Sequence, residues 1–130
     1  MAGIVLLGHG EFAKGLLDTS EMVAGPQEKV VAVPLSADIS LSEYRERVEE
    51  ACGRVDSGAG VLLLVDLKGG TPSNVAVLIS HDRGYRVISG ANVPMLVAVL
   101  LSRESLDLSA LAELARSSGA EGVEQLRLGE

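Results

Sequence analysis

Histidine, cysteine and aromatic residues are nearly missing from this chain of 130 residues. The single cysteine, Cys52, excludes an internal disulfide and a multi-cysteine zinc site, and fits a reducing compartment. Phe12, Tyr44 and Tyr85 are the only aromatic residues, with no tryptophan, so the stacking platform of single-stranded nucleic-acid binders is absent. Basic runs are missing too. Lys plus Arg is 11 against 18 Asp plus Glu, a net charge of −7, which argues against nucleic-acid or anionic-membrane partners. No apolar run approaches the ~20 residues of a membrane-spanning helix. The start, Met1-Ala2-Gly3-Ile4, has no basic export signal. A cytoplasmic protein without membrane insertion is expected. With two histidines, His9 and His81, any histidine chemistry must pass through one of them.

The residues that are abundant make a core. Hydrophobic residues are 47% and charged residues 22%, enough for one folded domain spanning residues 1–130. Four short apolar runs, Gly3–Leu7, Val30–Val33, Val61–Val65 and Tyr85–Ser89, are continuous rather than alternating. That pattern marks strands covered on both faces of a parallel sheet. Helical patterns separate them. Phe12 to Ala24 ends at Gly25-Pro26. Leu41, Tyr44, Val48, Cys52 and Val55 share one helix face, Ser40 and Glu43 have capping-box spacing, and glycines from Gly53 onward end this second helix. A third helix is expected from Thr71-Pro72 with Thr71 capping, a fourth from Pro94, and a fifth through Leu108, Leu111, Ala112 and Ala115. The order predicts an α/β, doubly wound, mostly parallel sheet with helices on both faces. The tail Val123–Leu128 partly alternates, as an antiparallel edge strand or a helix end would.

In such folds chemistry collects at the carboxyl ends of the strands. The first strand ends in Gly8-His9-Gly10-Glu11, a histidine on a tight glycine turn. The third ends at Asp66, followed by Leu67-Lys68-Gly69-Gly70-Thr71-Pro72-Ser73-Asn74. The first and third strands are commonly neighbours, which would set His9 beside Asp66. A carboxylate bonded to one ring nitrogen fixes the tautomer and leaves the other as a nucleophile. The glycines and the start of the third helix offer N–H groups to an anion. Together these point to phosphoryl chemistry on His9. Blander readings apply elsewhere: Lys68 as a solvated loop lysine, Cys52 as core, His81 as a helix-end residue aided by the dipole.

These residues resemble the mannose-family enzyme IIA domain of the sugar phosphotransferase system. The resemblance runs from Ile4 to about Leu126. It rests on the Gly-His-Gly turn, Thr19-Ser20-Glu21-Met22 with Gly25, Gly60–Asp66, Gly69–Asn74 and Gly90-Ala91-Asn92-Val93-Pro94-Met95-Leu96. It implies a phosphorylated histidine at His9, a partner aspartate at Asp66, and a phosphate site involving Gly10, Gly69, Gly70 and the hydroxyl of Thr71. It also implies a homodimer exchanging its C-terminal strand, HPr as phosphoryl donor, and an enzyme IIB as acceptor beside membrane IIC and IID subunits. No cofactor or metal is expected. Lys68 and Ser73 stand where family members often carry aromatics; such positions meet partners, so partner identity is left open. The chain ends without an Ala-Pro linker, so no fused IIB domain is expected.

Other classes fit less well. Gly8-x-Gly10-x-x-Ala13 mimics a dinucleotide fingerprint, but the second strand ends at Pro34 where that fold needs an acid. His9-Gly10-Glu11 resembles histidine phosphatases, which need an arginine where Gly8 stands. A regulatory dimer, or a phosphotransfer subunit associated with dihydroxyacetone kinase, is the alternative within the resemblance. The sugar is not legible.

Overall fold

A computed structural model describes residues 1–129. The chain runs β1 (Gly3–His9), α1 (Phe12–Ala24), β2 (Val30–Leu35), α2 (Leu41–Val55), β3 (Val61–Val65), α3 (Thr71–Arg83), β4 (Arg86–Ser89), α4 (Val93–Ser102) and α5 (Leu108–Glu121). The strands order as β2-β1-β3-β4 and every pairing is parallel. The chain therefore winds one way from β1 and the other way from β3, which puts the switch point between those two strands.

Alternation along the buried strands divides the core. Ile4 and Leu6 of β1, with Leu62 and Leu64 of β3, pack under α1, α4 and α5. Val5 and Leu7, with Val61, Leu63 and Val65, pack under α2 and α3. Successive strand side chains point to opposite faces, so continuous apolar runs serve two layers at once. Cys52 lies in the second layer, and burial raises its thiol pKa to about 11, which keeps it an inert packing residue.

Several boundaries differ from the sequence expectation for local reasons. Gly70 occupies the cap position of α3 with φ of +86°, and Thr71 is the first helical residue rather than the cap. Asn92 caps α4 by accepting from the Met95 N–H at 3.0 Å, so the helix begins at Val93. Gly53 lies inside α2, which continues to Val55 before Asp56 ends it. The tail is neither strand nor helix within the chain. Val123, Leu126 and Leu128 stand in solvent, because an alternating segment becomes a strand only against an edge that it pairs with.

The amino edge of the sheet is held by Arg103, just past α4 and 1% exposed. Its guanidinium donates to the carbonyls of Glu28 (2.6 Å), Ala2 (2.8 Å) and Lys29 (3.0 Å), tying the starts of β1 and β2 to α4. Arg103→Met would strand these acceptors and should lower stability by roughly 3 kcal/mol, read as a fall in the urea midpoint. A midpoint equal to the parent protein's would contradict the clamp.

Candidate functional site

The site forms at the carboxyl edge, where β1 and β3 pair. Their register sets Leu7 opposite Val65, so the next residues of each strand emerge side by side. The Asp66 N–H donates to the Leu7 carbonyl at 3.2 Å, carrying the ladder one step past β3. The Asp66 carboxylate then faces back to His9. Its Oδ2 accepts from the His9 backbone N–H at 2.9 Å and lies 2.8 Å from the ring Nδ1. Its Oδ1 accepts from the Leu67 N–H at 2.9 Å. With the carboxylate ionised, Nδ1 carries the proton and Nε2 keeps its lone pair.

Two glycines make the approach possible. A Cβ on Gly8 would lie 2.8 Å from a Phe12 ring carbon and 3.4 Å from the Asp66 Cβ. A Cβ on Gly70 would lie 3.4 Å from Cε1 and 3.5 Å from Nε2 of His9. The Nε2 edge of the ring therefore faces the Gly69-Gly70 turn, where both residues have φ of +86°. Beyond it the N-terminus of α3 presents the Thr71 and Ser73 amides, since the first turn of a helix leaves its N–H groups without helical acceptors. Gly10 has φ of +57°, but its N–H already donates to the Leu35 carbonyl at 2.9 Å. Its role in the turn is conformational, because that amide is committed.

Exposure divides the pair. The His9 side chain is 52% exposed and the Asp66 side chain 13%. Burial pushes the Asp66 carboxyl upward, but the hydrogen bonds from the His9 backbone, the His9 ring and the Leu67 N–H outweigh it. Its pKa accordingly lies below the usual carboxylate value. Beneath the site, burial first and the Asp66 charge second hold the Tyr44 hydroxyl protonated, and it donates to the Val33 carbonyl at 2.8 Å. A shallow apolar groove of about 450 Å³ starts at Phe12 and runs past Leu16 to Ala91 and Val93. A larger hollow, about 620 Å³ around Met1, Pro26 and Arg103, opens at the amino edge and holds none of these groups.

The sheet thus brings together His9, Asp66, Gly69, Gly70 and Thr71, and leaves His81 in the exposed last turn of α3. The Leu67 N–H bond is the loop-capping role open to an aspartate at a strand end, and Asp66 plays it alongside its hold on His9. The Gly8 contact was not anticipated, and only the shortness of the turn hinted at it. Among the described residues no group of three or more His, Cys, Asp or Glu side chains is placed to hold a metal ion. No helix among them is long and apolar enough to cross a membrane.

Together these features define a doubly wound α/β protein with a carboxylate-oriented histidine at the switch point of its sheet, facing a glycine turn. The family model described as "PTS system fructose IIA component" matches residues 3–116, and the chain belongs to this mannose-type enzyme IIA family. It is 38% identical over 126 residues, 95% of its length, to a "PTS system mannose-specific EIIAB component" of Escherichia coli K12, of which it spans 39%. It is 34% identical over 112 residues to a "PTS system fructose-specific EIIA component" of Bacillus subtilis 168, covering 85% of this chain and 77% of that protein. The crystal structure of a phosphotransferase system EIIA component from Streptococcus agalactiae superposes with a TM-score of 0.88 at 32% identity, covering 96% and 97% of the two chains. A mannose/sorbose-specific IIA subunit from Enterococcus faecalis gives 0.88 at 27% identity, covering 99% and 97%.

The lowered Asp66 pKa has a testable sign. A depressed carboxyl contributes stability above its unfolded pKa of about 3.9 and loses it as pH falls toward the folded value. Asp66→Asn should therefore be less stable than the parent protein at pH 6, with the gap closing on acidification from pH 4 downward. Urea denaturation across that range reads it, and a gap of constant size at pH 3 would refute the account.

Proposed function

We propose that this chain is a phosphocarrier of a sugar phosphotransferase system, with His9 as the acceptor. The observation that carries the reading is the 2.8 Å contact between Nδ1 of His9 and Asp66, which leaves Nε2 facing the glycine turn. Nε2 attacks the phosphorus of phospho-HPr in line; the new P–N bond forms as the bond to the donor ring breaks. The ionised Asp66 carboxylate holds the proton on Nδ1 throughout, so no proton has to pass between carriers. Gly69, Gly70 and Thr71 shape the cradle for the phosphoryl oxygens, and the α3 dipole favours their charge. Transfer then runs in reverse toward an enzyme IIB that serves membrane IIC and IID subunits. Positioning and charge stabilisation suffice for exchange between two ring nitrogens. The reading places the protein in the cytoplasm, as a homodimer in which the tail Val123–Leu128 pairs with a second copy.

Incubation with phosphoenolpyruvate, enzyme I and HPr should label the protein, and His9→Ala should abolish the label; label persisting on that variant would sink the assignment. Asp66→Asn should keep the fold and slow transfer by about 10²-fold or more, the scale for losing a group that fixes the tautomer. Light scattering should report twice the chain mass of 13.5 kDa, and a monomer at working concentration would count against the dimer.

A further inference from the structure

A phosphoryl group on Nε2 of His9 creates an electrostatic problem that the groups described so far do not solve. The group carries close to two negative charges near neutral pH. It arrives on a ring whose other nitrogen is bonded to the Asp66 carboxylate. The α3 N-terminus answers with a partial charge of about +0.5. A full cation is missing from the cradle.

The positive residues can be sorted by where they stand. Arg45, Arg47, Arg54, Arg83 and Arg116 sit in ion pairs with glutamates. Arg103 is buried at the amino edge, and Lys29 and Arg86 stand at the starts of β2 and β4 on that same edge. Arg127 is in the tail. Lys14 lines a hollow with Glu11, Asp18 and Glu21. Lys68 remains. It lies in the turn between Asp66 and Gly69, is exposed, and makes no ion pair or hydrogen bond among the described residues.

Reach is sufficient. Lys68 precedes Gly70 by two residues, so their Cα atoms lie within about 7.6 Å. A Cβ on Gly70 would be 3.5 Å from Nε2. The lysine stem has four rotatable carbons and a compact ammonium with three donors. Gly69, with φ of +86°, gives the intervening backbone its bend. Because Lys68 has no partner to give up, turning inward breaks no contact.

We propose that Lys68 folds over the site when His9 is phosphorylated and binds the phosphoryl oxygens. Its ammonium thereby stabilises both the transferring group and the phosphohistidine. This rests on His9 being the acceptor. In the step itself the phosphoryl group moves as PO₃⁻ from the donor ring nitrogen to Nε2. The donor ring recovers its lone pair, and Lys68 keeps its protons and supplies charge alone.

The test uses phosphoramidate, a small donor that needs no protein partner, alongside phospho-HPr. Parent protein, Lys68→Met, Lys68→Glu and Lys68→Arg are compared by labelling rate, by ³¹P NMR titration of the phosphoryl group, and by melting temperature. Lys68 is exposed, so all four should melt alike. Labelling by phosphoramidate should fall about tenfold in Lys68→Met and further in Lys68→Glu, with Lys68→Arg retaining most of the rate; added salt should shrink these differences. The second ionisation of the phosphoryl group should move to higher pH in Lys68→Met, since a neighbouring cation favours the dianion. Equal phosphoramidate rates and equal titrations would overturn the proposal. A loss confined to transfer from phospho-HPr would overturn it too, assigning Lys68 to partner docking. Failure of both donors to label His9 in the parent protein would instead bring down the phosphocarrier reading itself.

Discussion

The site depends on one carboxylate that holds one histidine at two points. Asp66 accepts from the backbone of His9 as well as from its ring, so the same oxygen fixes where the residue sits and how its imidazole turns. That double hold requires β1 and β3 to be parallel neighbours in register, with their last ladder bond at Asp66. A shift of one residue in either strand would turn Asp66 to the opposite face and leave the histidine without its partner. Sheet register and proton placement are therefore the same constraint, seen at two scales.

Glycine serves this constraint in two different ways. Gly69 and Gly70 supply positive φ, which an L side chain adopts only with strain, and Gly70 also leaves room beside Nε2. Gly8 has ordinary backbone geometry and matters by size, because a Cβ there would meet the Phe12 ring. The turn after β3 thus combines an open approach to the ring with the amide-rich start of α3. An anion placed there would meet dipoles before it met any full positive charge.

Much of this was legible in the residues. The four apolar runs predicted four strands because burial on both faces removes polar positions, and the core clusters show that sharing directly in β1 and β3. The closeness of His9 to Asp66 followed from a common strand order of doubly wound sheets, in which the first and third strands are neighbours. Caps were harder. Thr71 has a better capping side chain than Gly70, yet the turn needs positive φ at the cap, and backbone conformation outweighed side-chain bonding. Arg103 was invisible, because nothing local distinguishes an arginine that will bind carbonyls about 75 residues away in the chain from one on a solvated helix end. The tail's alternation was visible, but a strand needs an edge, and one chain's sequence does not supply its partner.

The Arg103 clamp and the His9 turn lie on opposite edges of the same sheet, and that separation bears on how such a protein can change over time. Interactions that decide whether the chain folds are concentrated under the helices and at the amino edge. The loop from Leu67 to Gly70 is exposed and carries little of the core. Substitutions at its exposed Leu67 and Lys68, though not at the two positive-φ glycines, alter what surrounds the histidine with little effect on the population of folded molecules. A lineage can therefore vary the surroundings of its histidine through a few surface positions while an inherited scaffold stays intact.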